Sequence, residues 1–285
     1  MTARPVEAVA NYHCVVGEGP HWNAEEGRIY WVDIETGRLF RADHRTGAHE
    51  CFYEGPVLGG FTRQVDGSLL LFEADRIATL DPGGARRVLV EGIDPDMRRF
   101  NDVIADPEGR VFAGTIGKTD TSGGLYRVER DGSVHCLFKQ TGIANGMAFT
   151  GDGTGFYWTC STTRRIYRFD YRRETGELTN RRLFHAAAEP DDTPDGLTLD
   201  DADRVYSARW GGAAVLRLDA HGAVAERFAM PVPRVSSVAF GGPTLDTLYV
   251  TTAAGAPGGT GDDGTLYRLE PGARGRLEHR SRVLL

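Results

Sequence analysis

Four side chains that carry oxygen atoms stand at equivalent points of a repeated pattern in this sequence. They are Glu18, Asn101, Asn145 and Asp195, and three of them have glycine beside them in the chain. Carboxylate and amide oxygens are the ligands that hard divalent cations prefer. Two carboxylates balance the charge of one such ion. The absence of cysteine and histidine at these positions disfavours a structural zinc site.

Each of these residues also has an ordinary structural interpretation. Asn and Asp often end strands and form turns, because their side chains hydrogen-bond to nearby backbone. For any one of the four residues alone, a capping or turn role is the favoured interpretation. The recurrence of all four in register favours a metal site.

The register comes from an internal repeat. In each copy an apolar run, a polar turn and a second apolar run precede a third run that ends in a charge. The second runs begin at residues 29, 69, 111, 156, 205 and 248, a spacing of 40 to 49 residues. A period in the forties with about four short strands per unit is typical of β-propellers. We therefore predict an all-β, six-bladed β-propeller with four-stranded blades, formed by residues 1–285 as a single domain. The evenness of the period argues against the alternative, a pair of β-sandwiches.

In a propeller the first strand of each blade lines the central channel, so the repeat predicts which residues meet at one mouth of it. The equivalent positions, ten or eleven residues before each second apolar run, are Glu18, Gly59, Asn101, Asn145, Asp195 and Ser237. A short strand-like segment at residues 7–13 is predicted to close the last blade, beside residues 277–285, which would remove a free sheet edge.

Composition excludes several classes of function. Hydrophobic content of 40% and charged content of 26% are ordinary for a soluble globular protein, and the net charge of −7 argues against a nucleic-acid partner. No signal-peptide core or membrane-spanning stretch is present, which predicts a cytoplasmic protein without a membrane partner. The four cysteines form no C-x-x-C pair, and no G-x-S-x-G or H-E-x-x-H motif supports serine-esterase or zinc-protease chemistry.

The same residues carry a resemblance to a known family. Gly17-Glu18-Gly19-Pro20-His21-Trp22, Arg99-Phe100-Asn101-Asp102, Asn145-Gly146-Met147 and Pro194-Asp195-Gly196 resemble, in order and spacing, four signatures of the senescence marker protein/regucalcin/gluconolactonase family of sugar lactonases. The resemblance implies one divalent cation in the channel of a six-bladed propeller. Its ligands would be Glu18, Asn145 and Asp195.

The resemblance also implies an activity and further roles. Arg99 and Asn101 would face the substrate, and Asp195 would be the candidate general base. The implied reaction is carboxylic-ester hydrolysis, in which an aldono-1,4- or 1,5-lactone opens to the aldonic acid during sugar catabolism. All-oxygen ligation suits Ca²⁺, Mg²⁺ or Mn²⁺, and an open three-ligand site also accepts Zn²⁺ or Fe²⁺. The alternatives are a calcium-binding regulatory propeller without turnover and a protein-interaction propeller.

Three further features bear on specificity. Cys160 stands where the family often has Asp, and a strand cysteine near a channel is more often inert packing than a reactive thiol. The glycine-rich loops at 116–124 and 253–264 are either lids over the pocket or plain connections.

Overall fold

The structure is a computed structural model, and it describes residues 4–188, 192–255 and 261–285. The regular secondary structure in these ranges consists of strands alone. None of the described residues forms a helix long and apolar enough to cross a membrane. The strands are β1 (Glu7–Asn11), β2 (Gly17–Asn23), β3 (Arg28–Asp33), β4 (Arg38–Asp43), β5 (His49–Glu54), β6 (Leu58–Arg63), β7 (Leu69–Glu73), β8 (Arg76–Leu80), β9 (Arg86–Glu91), β10 (Met97–Ala105), β11 (Val111–Gly117), β12 (Gly124–Val128), β13 (Val134–Lys139), β14 (Ala144–Phe149), β15 (Gly155–Cys160), β16 (Arg165–Arg172), β17 (Glu177–Ala186), β18 (Thr193–Leu199), β19 (Val205–Trp210), β20 (Ala214–Leu218), β21 (Val224–Ala229), β22 (Val235–Gly241), β23 (Thr247–Thr252) and β24 (Thr265–Leu269).

These strands form six four-stranded sheets. Five of them are consecutive meanders, β2–β5, β6–β9, β10–β13, β14–β17 and β18–β21, and the sixth has the order β1-β24-β23-β22. The second strands begin at residues 28, 69, 111, 155, 205 and 247, within one residue of the predicted starts. The predicted six-bladed β-propeller is confirmed.

The chain divides into two compact units of three sheets each. The first unit comprises Met1–Glu54 and Phe184–Leu277, and it holds the sheets β2–β5, β18–β21 and β22–β24 with β1. The second comprises Gly55–Leu183 and Glu278–Leu285, and it holds β6–β9, β10–β13 and β14–β17, with the end of β17 passing into the first unit. The prediction of a single domain stays a prediction.

Within each unit the faces of neighbouring sheets pack on one another, because one four-stranded sheet cannot cover both of its faces. In the first unit Tyr206 of β19 joins Val235 and Phe240 of β22 in one apolar cluster. In the second unit Phe112 of β11 lies edge-on to Phe149 of β14, with ring centroids 5.3 Å apart. This packing fixes the first strand of each sheet against its neighbours.

The segment predicted at 7–13 is β1, which lies at the edge of the last sheet. Its partner differs from the prediction, since Glu7 to Asn11 pair antiparallel with Arg268 to Thr265 of β24. Residues 277–285 instead make one isolated bridge, from Ser281 to Gln64, and bury Val283 in the core of the second unit. The physical reason is local: Pro271 cannot donate to a ladder and Gly272 has a φ of +71°, so the chain leaves the sheet after β24.

Close backbone contact explains one glycine of the site motifs. A Cβ atom added at Gly196 would lie 2.1 Å from Ser237 Oγ and 2.6 Å from Ser237 Cβ, on the neighbouring strand β22. We expect Gly196→Ala to lower the free energy of unfolding by about 1–3 kcal/mol, the usual cost of overpacking a filled site. Urea denaturation measures this loss. The matched control is Gly83→Ala in an exposed turn, where the nearest atom is a side-chain oxygen at 3.2 Å. Equal losses in the two variants would contradict the close-contact explanation.

Candidate functional site

The six equivalent positions of the repeat all lie on first strands, at a break in strand register. The antiparallel register between first and second strand shifts between Glu18 and His21, Leu58 and Gly60, Phe100 and Val103, Asn145 and Met147, Pro194 and Leu197, and Val235 and Ser237. Such bulges leave residues unpaired with the neighbouring strand and re-aim their side chains. Each sheet therefore presents the predicted residue, or its immediate neighbour, out of the regular ladder.

In the first unit, Glu18 and Asp195 are held on strands that both contact β22. Their exposed fractions are 6% and 5%. Glu18 Oε2 accepts a hydrogen bond from Gly19 N at 3.1 Å. Ser236 Oγ donates to Gly17 O, which ties β2 to β22, and Gly196 packs against Ser237, which ties β18 to the same strand. The strand β22 thus positions both carboxylates, although its own Ser237 supplies no charge.

In the second unit, Arg99, Asn101 and β14 form a connected polar network. Arg99 is buried with 8% exposure, whereas its neighbour Arg98 is exposed, as alternation along a strand requires. Arg99 Nη1 donates to Asn101 Oδ1 at 2.7 Å and to Phe100 O at 3.0 Å. Asn101 Nδ2 donates to Ala144 O at 2.9 Å, one residue before Asn145. The predicted substrate-facing pair is therefore built as one rigid group.

The side-chain amide of Asn145 forms a hydrogen bond through its nitrogen, whereas its oxygen accepts none from the described residues. Its Nδ2 donates to Ser161 Oγ at 3.2 Å, which fixes the orientation of the amide. Its Oδ1 is buried and accepts no hydrogen bond from the part of the chain that the structure describes. A buried carbonyl oxygen without a donor is costly in an apolar setting and suits a hard cation. Asn145 therefore fits the role of a neutral metal ligand.

The donor set fits a cation that prefers oxygen. Glu18 and Asp195 supply charge, and Asn145 supplies a neutral oxygen. No cluster of three or more His, Cys, Asp and Glu side chains able to hold a metal occurs within the described ranges. The two carboxylates belong to the first unit and the amide to the second, and each is an oxygen donor of the kind that a hard divalent cation prefers.

Gly59, the equivalent position without an oxygen, is explained by packing. A Cβ atom at Gly59 would lie 2.1 Å from Phe100 O, on the first strand of the next sheet. Because no side chain fits there, β6 contributes only backbone while it supports the strand that carries Arg99 and Asn101.

One carboxyl beside this network has a shifted pKa. Burial raises the pKa of Asp102 to about 7, the hydrogen bond from Val103 N opposes the rise and the Glu278 carboxylate adds to it. The raised pKa favours the neutral form of the Asp102 carboxyl, next to Asn101.

Cys160 is a packed core residue. It is 3% exposed, belongs to the apolar cluster of Phe112 and Trp158, and donates from Sγ to Thr141 O at 2.9 Å. This is the inert packing that the sequence interpretation favoured.

The two predicted loops are hydrogen-bonded to different segments of the chain. The loop at 116–124 is held against Asp96, the residue that precedes β10. Lys118 N donates to Asp96 O at 2.9 Å, and Ser122 Oγ donates to the same oxygen at 3.2 Å. The predicted loop at 253–264 lies partly outside the described residues. Its start is fixed by Ala254 N, which donates to Cys14 O at 2.9 Å, in the segment that leads to Glu18.

Sequence reasoning missed two residues that hold these groups. Ser161 fixes the Asn145 amide, and Ser236 joins β2 to β22. Neither stands in a motif, and serine is common in such loops and strands. Only the pairing of strands reveals them.

Comparison with known proteins places the chain in a family. The sequence model of the SMP-30/Gluconolactonase/LRE-like region matches residues 16–254. The chain belongs to this family. The pentonolactonase XacC of Haloferax volcanii is 47% identical over 98% of this chain and 99% of its own length. The 6-deoxy-6-sulfogluconolactonase of Pseudomonas putida is 32% identical over 87% of each chain.

A solved structure supports the same placement. Regucalcin from Agrobacterium tumefaciens, described as a calcium-binding protein, is 25% identical and covers 99% of this chain and 98% of its own, with a TM-score of 0.90. The SMP-30/gluconolactonase family resemblance that the sequence motifs indicate is confirmed.

Proposed function

We propose that this protein is a divalent-cation-dependent hydrolase that opens sugar lactones to aldonic acids. The observation that carries the proposal is the placement of Glu18, Asn145 and Asp195, which are all buried and all lie at the register break of a first strand. The lactonases among the relatives support the reaction class. Because a pentonolactonase is 47% identical along nearly the whole chain, a five-carbon lactone is the first substrate to test.

Glu18, Asn145 and Asp195 would hold the cation. When bound there, a divalent cation polarises a carbonyl oxygen and lowers the pKa of a water molecule. The open Oδ1 of Asn145 and the two buried carboxylates are the observations that favour this ligand set.

Asp195 would also move the proton. It would accept a proton from the water whose oxygen attacks the lactone carbonyl carbon. The bond between the carbonyl carbon and the ring oxygen then breaks, and the same proton passes to the ring oxygen as it leaves. The products are one hydroxyl and one carboxylic acid, so the atoms balance.

Arg99 and Asn101 would orient the substrate. The Arg99 guanidinium is always charged and its Nη1 is held by Asn101, so it offers fixed donors to hydroxyl or carbonyl oxygens. Asn101 is in turn held by its hydrogen bond to Ala144 O, so these two side chains would need to move little when a substrate binds.

A calcium-binding role without turnover is the second candidate, because the regucalcin of Agrobacterium tumefaciens is described as a calcium-binding protein. One experiment separates the two functions. Protein loaded in turn with Ca²⁺, Mg²⁺, Mn²⁺, Zn²⁺ and Fe²⁺ is mixed with pentono- and hexono-lactones, and acid release is followed at constant pH. We expect opening far above the spontaneous rate with at least one metal. Tight metal binding with only the spontaneous rate in every mixture would favour the binding role.

A further inference from the structure

Arg209 is a buried cation whose guanidinium makes no hydrogen bond to the described part of the chain. It lies near the end of β19, its side chain is 0% exposed, and Nε, Nη1 and Nη2 form no hydrogen bond with any residue in the described ranges. Burying a guanidinium without hydrogen-bond acceptors costs free energy, because the lost contacts with water are not replaced. Such a group calls for an explanation outside the stability of the fold.

The Asp192 carboxylate lies close to Arg209 but does not satisfy it. Asp192 Oδ1 lies 3.9 Å from Arg209 Nε, beyond hydrogen-bond distance, and this oxygen also accepts no hydrogen bond from described residues. The Asp192 side chain is 23% exposed, whereas that of Arg209 is fully buried. Burial lowers the pKa of Arg209 to about 10, which still leaves the guanidinium charged at neutral pH.

The strand register places the backbone of Arg209 beside the segment that carries the proposed general base. Arg209 pairs with Pro194, and Asp195 is the following residue, where the register breaks. A planar guanidinium matches a carboxylate with two parallel N–H···O bonds. Lactone opening produces a carboxylate, so the reaction itself supplies a ligand of the right chemistry.

We propose that Arg209 is an anion-recognising residue of the lactonase site, and that it binds a carboxylate of the sugar ligand in place of Asp192. This inference rests on the proposed function. The carboxylate has two possible sources: the acid formed when the ring opens, or a second acid group that the lactone already carries.

Titration calorimetry tests the proposal without any turnover. Metal-loaded wild type, Arg209→Met and the control Arg217→Met are titrated with a pentonate and with the matching neutral pentitol. Arg217 lies on the neighbouring strand β20 and pairs with Glu226 at 3.0 Å. We expect wild type and the control to prefer the pentonate, and Arg209→Met to lose at least about tenfold of that preference, as a lost bidentate pair implies.

The second arm identifies the source of the carboxylate. If pentonate binding is the same in wild type and Arg209→Met, the ratio of kcat/KM for glucaro-1,4-lactone over a neutral lactone is compared. A fall of at least about tenfold in that ratio assigns Arg209 to a second acid group. If neither measurement changes, the proposal is wrong.

Thermal stability separates a ligand group from a structural ion pair. Because Arg209 is buried and forms no hydrogen bond with any described residue, we expect Arg209→Met to melt at or above the wild-type temperature. A lower Tm together with unchanged anion preference would mean that Arg209 and Asp192 form a structural pair, and would contradict the proposal.

If Arg209→Met does not fold, Arg209→Lys is the variant to test, because lysine keeps the charge without the planar fork. Pentonate binding and lactone selectivity that are unchanged in Arg209→Lys would overturn the proposal. Absence of all lactone turnover would refute the proposed function and leave the pentonate titration still able to decide.

Discussion

Asp195→Asn is expected to lower kcat for lactone opening by about 10²–10⁴-fold, the usual contribution of a positioned general base. Asparagine has nearly the same shape, so the contact of Gly196 with Ser237 and the register of β18 should survive. It keeps one neutral oxygen for a cation but cannot accept the proton. Initial rates at saturating metal and lactone measure the loss, and circular dichroism checks the fold.

The difficulty in that experiment is that Asp195 has two proposed roles. Glu18→Gln separates them, because Glu18 is proposed only as a ligand. We expect Glu18→Gln to need more metal and to recover much of its turnover in excess metal. Asp195→Asn should stay inactive in samples shown by elemental analysis to hold one metal per chain. The control Asp201→Asn, in the exposed turn after β18, should match wild type.

Equal recovery of Glu18→Gln and Asp195→Asn in excess metal would contradict the role of Asp195 as a base. It would leave Asp195 as a ligand and move the proton transfer to another group. Full turnover in both variants without added metal would contradict the whole site.

The repeat made the six sheets and the six first-strand positions predictable. Each sheet has its own turn and apolar runs, so local pattern alone fixes where Glu18, Asn145 and Asp195 fall. The register breaks at these positions could be anticipated only in part, from glycines such as Gly146 and Gly196 that stand beside them.

What the sequence could not show depends on contacts between distant segments. The edge of the last sheet is filled by β1 beside β24, since Pro271 and Gly272 turn the chain away from it; local propensity at 277–285 carries no such information. Ser161 and Arg209 stand in no motif. Their significance comes from the Asn145 oxygen and the Arg209 guanidinium, which make no hydrogen bond to described residues, and only packing reveals this.

Removal of the metal is expected to abolish turnover and to lower the Tm. If Glu18 and Asp195 hold one cation as proposed, its removal leaves two buried carboxylates that repel each other, and the Asn145 oxygen then has no partner among the described residues. A cation at 100 times its Kd stabilises the native state by about 2.7 kcal/mol. For a chain of this size that corresponds to a Tm shift of about 4–5 °C.

The measurement compares dialysed, chelator-treated protein with the same protein after each metal is returned. Turnover and Tm should recover together and saturate at one metal per chain. The double variant Glu18→Gln, Asp195→Asn is the matched control, because its Tm should not respond to metal at the concentrations that restore wild type. A chelated sample that keeps full turnover, with metal absent by elemental analysis, would contradict the cation-dependent mechanism. If the double variant responds to metal as wild type does, the cation binds elsewhere and Glu18 and Asp195 are not its ligands.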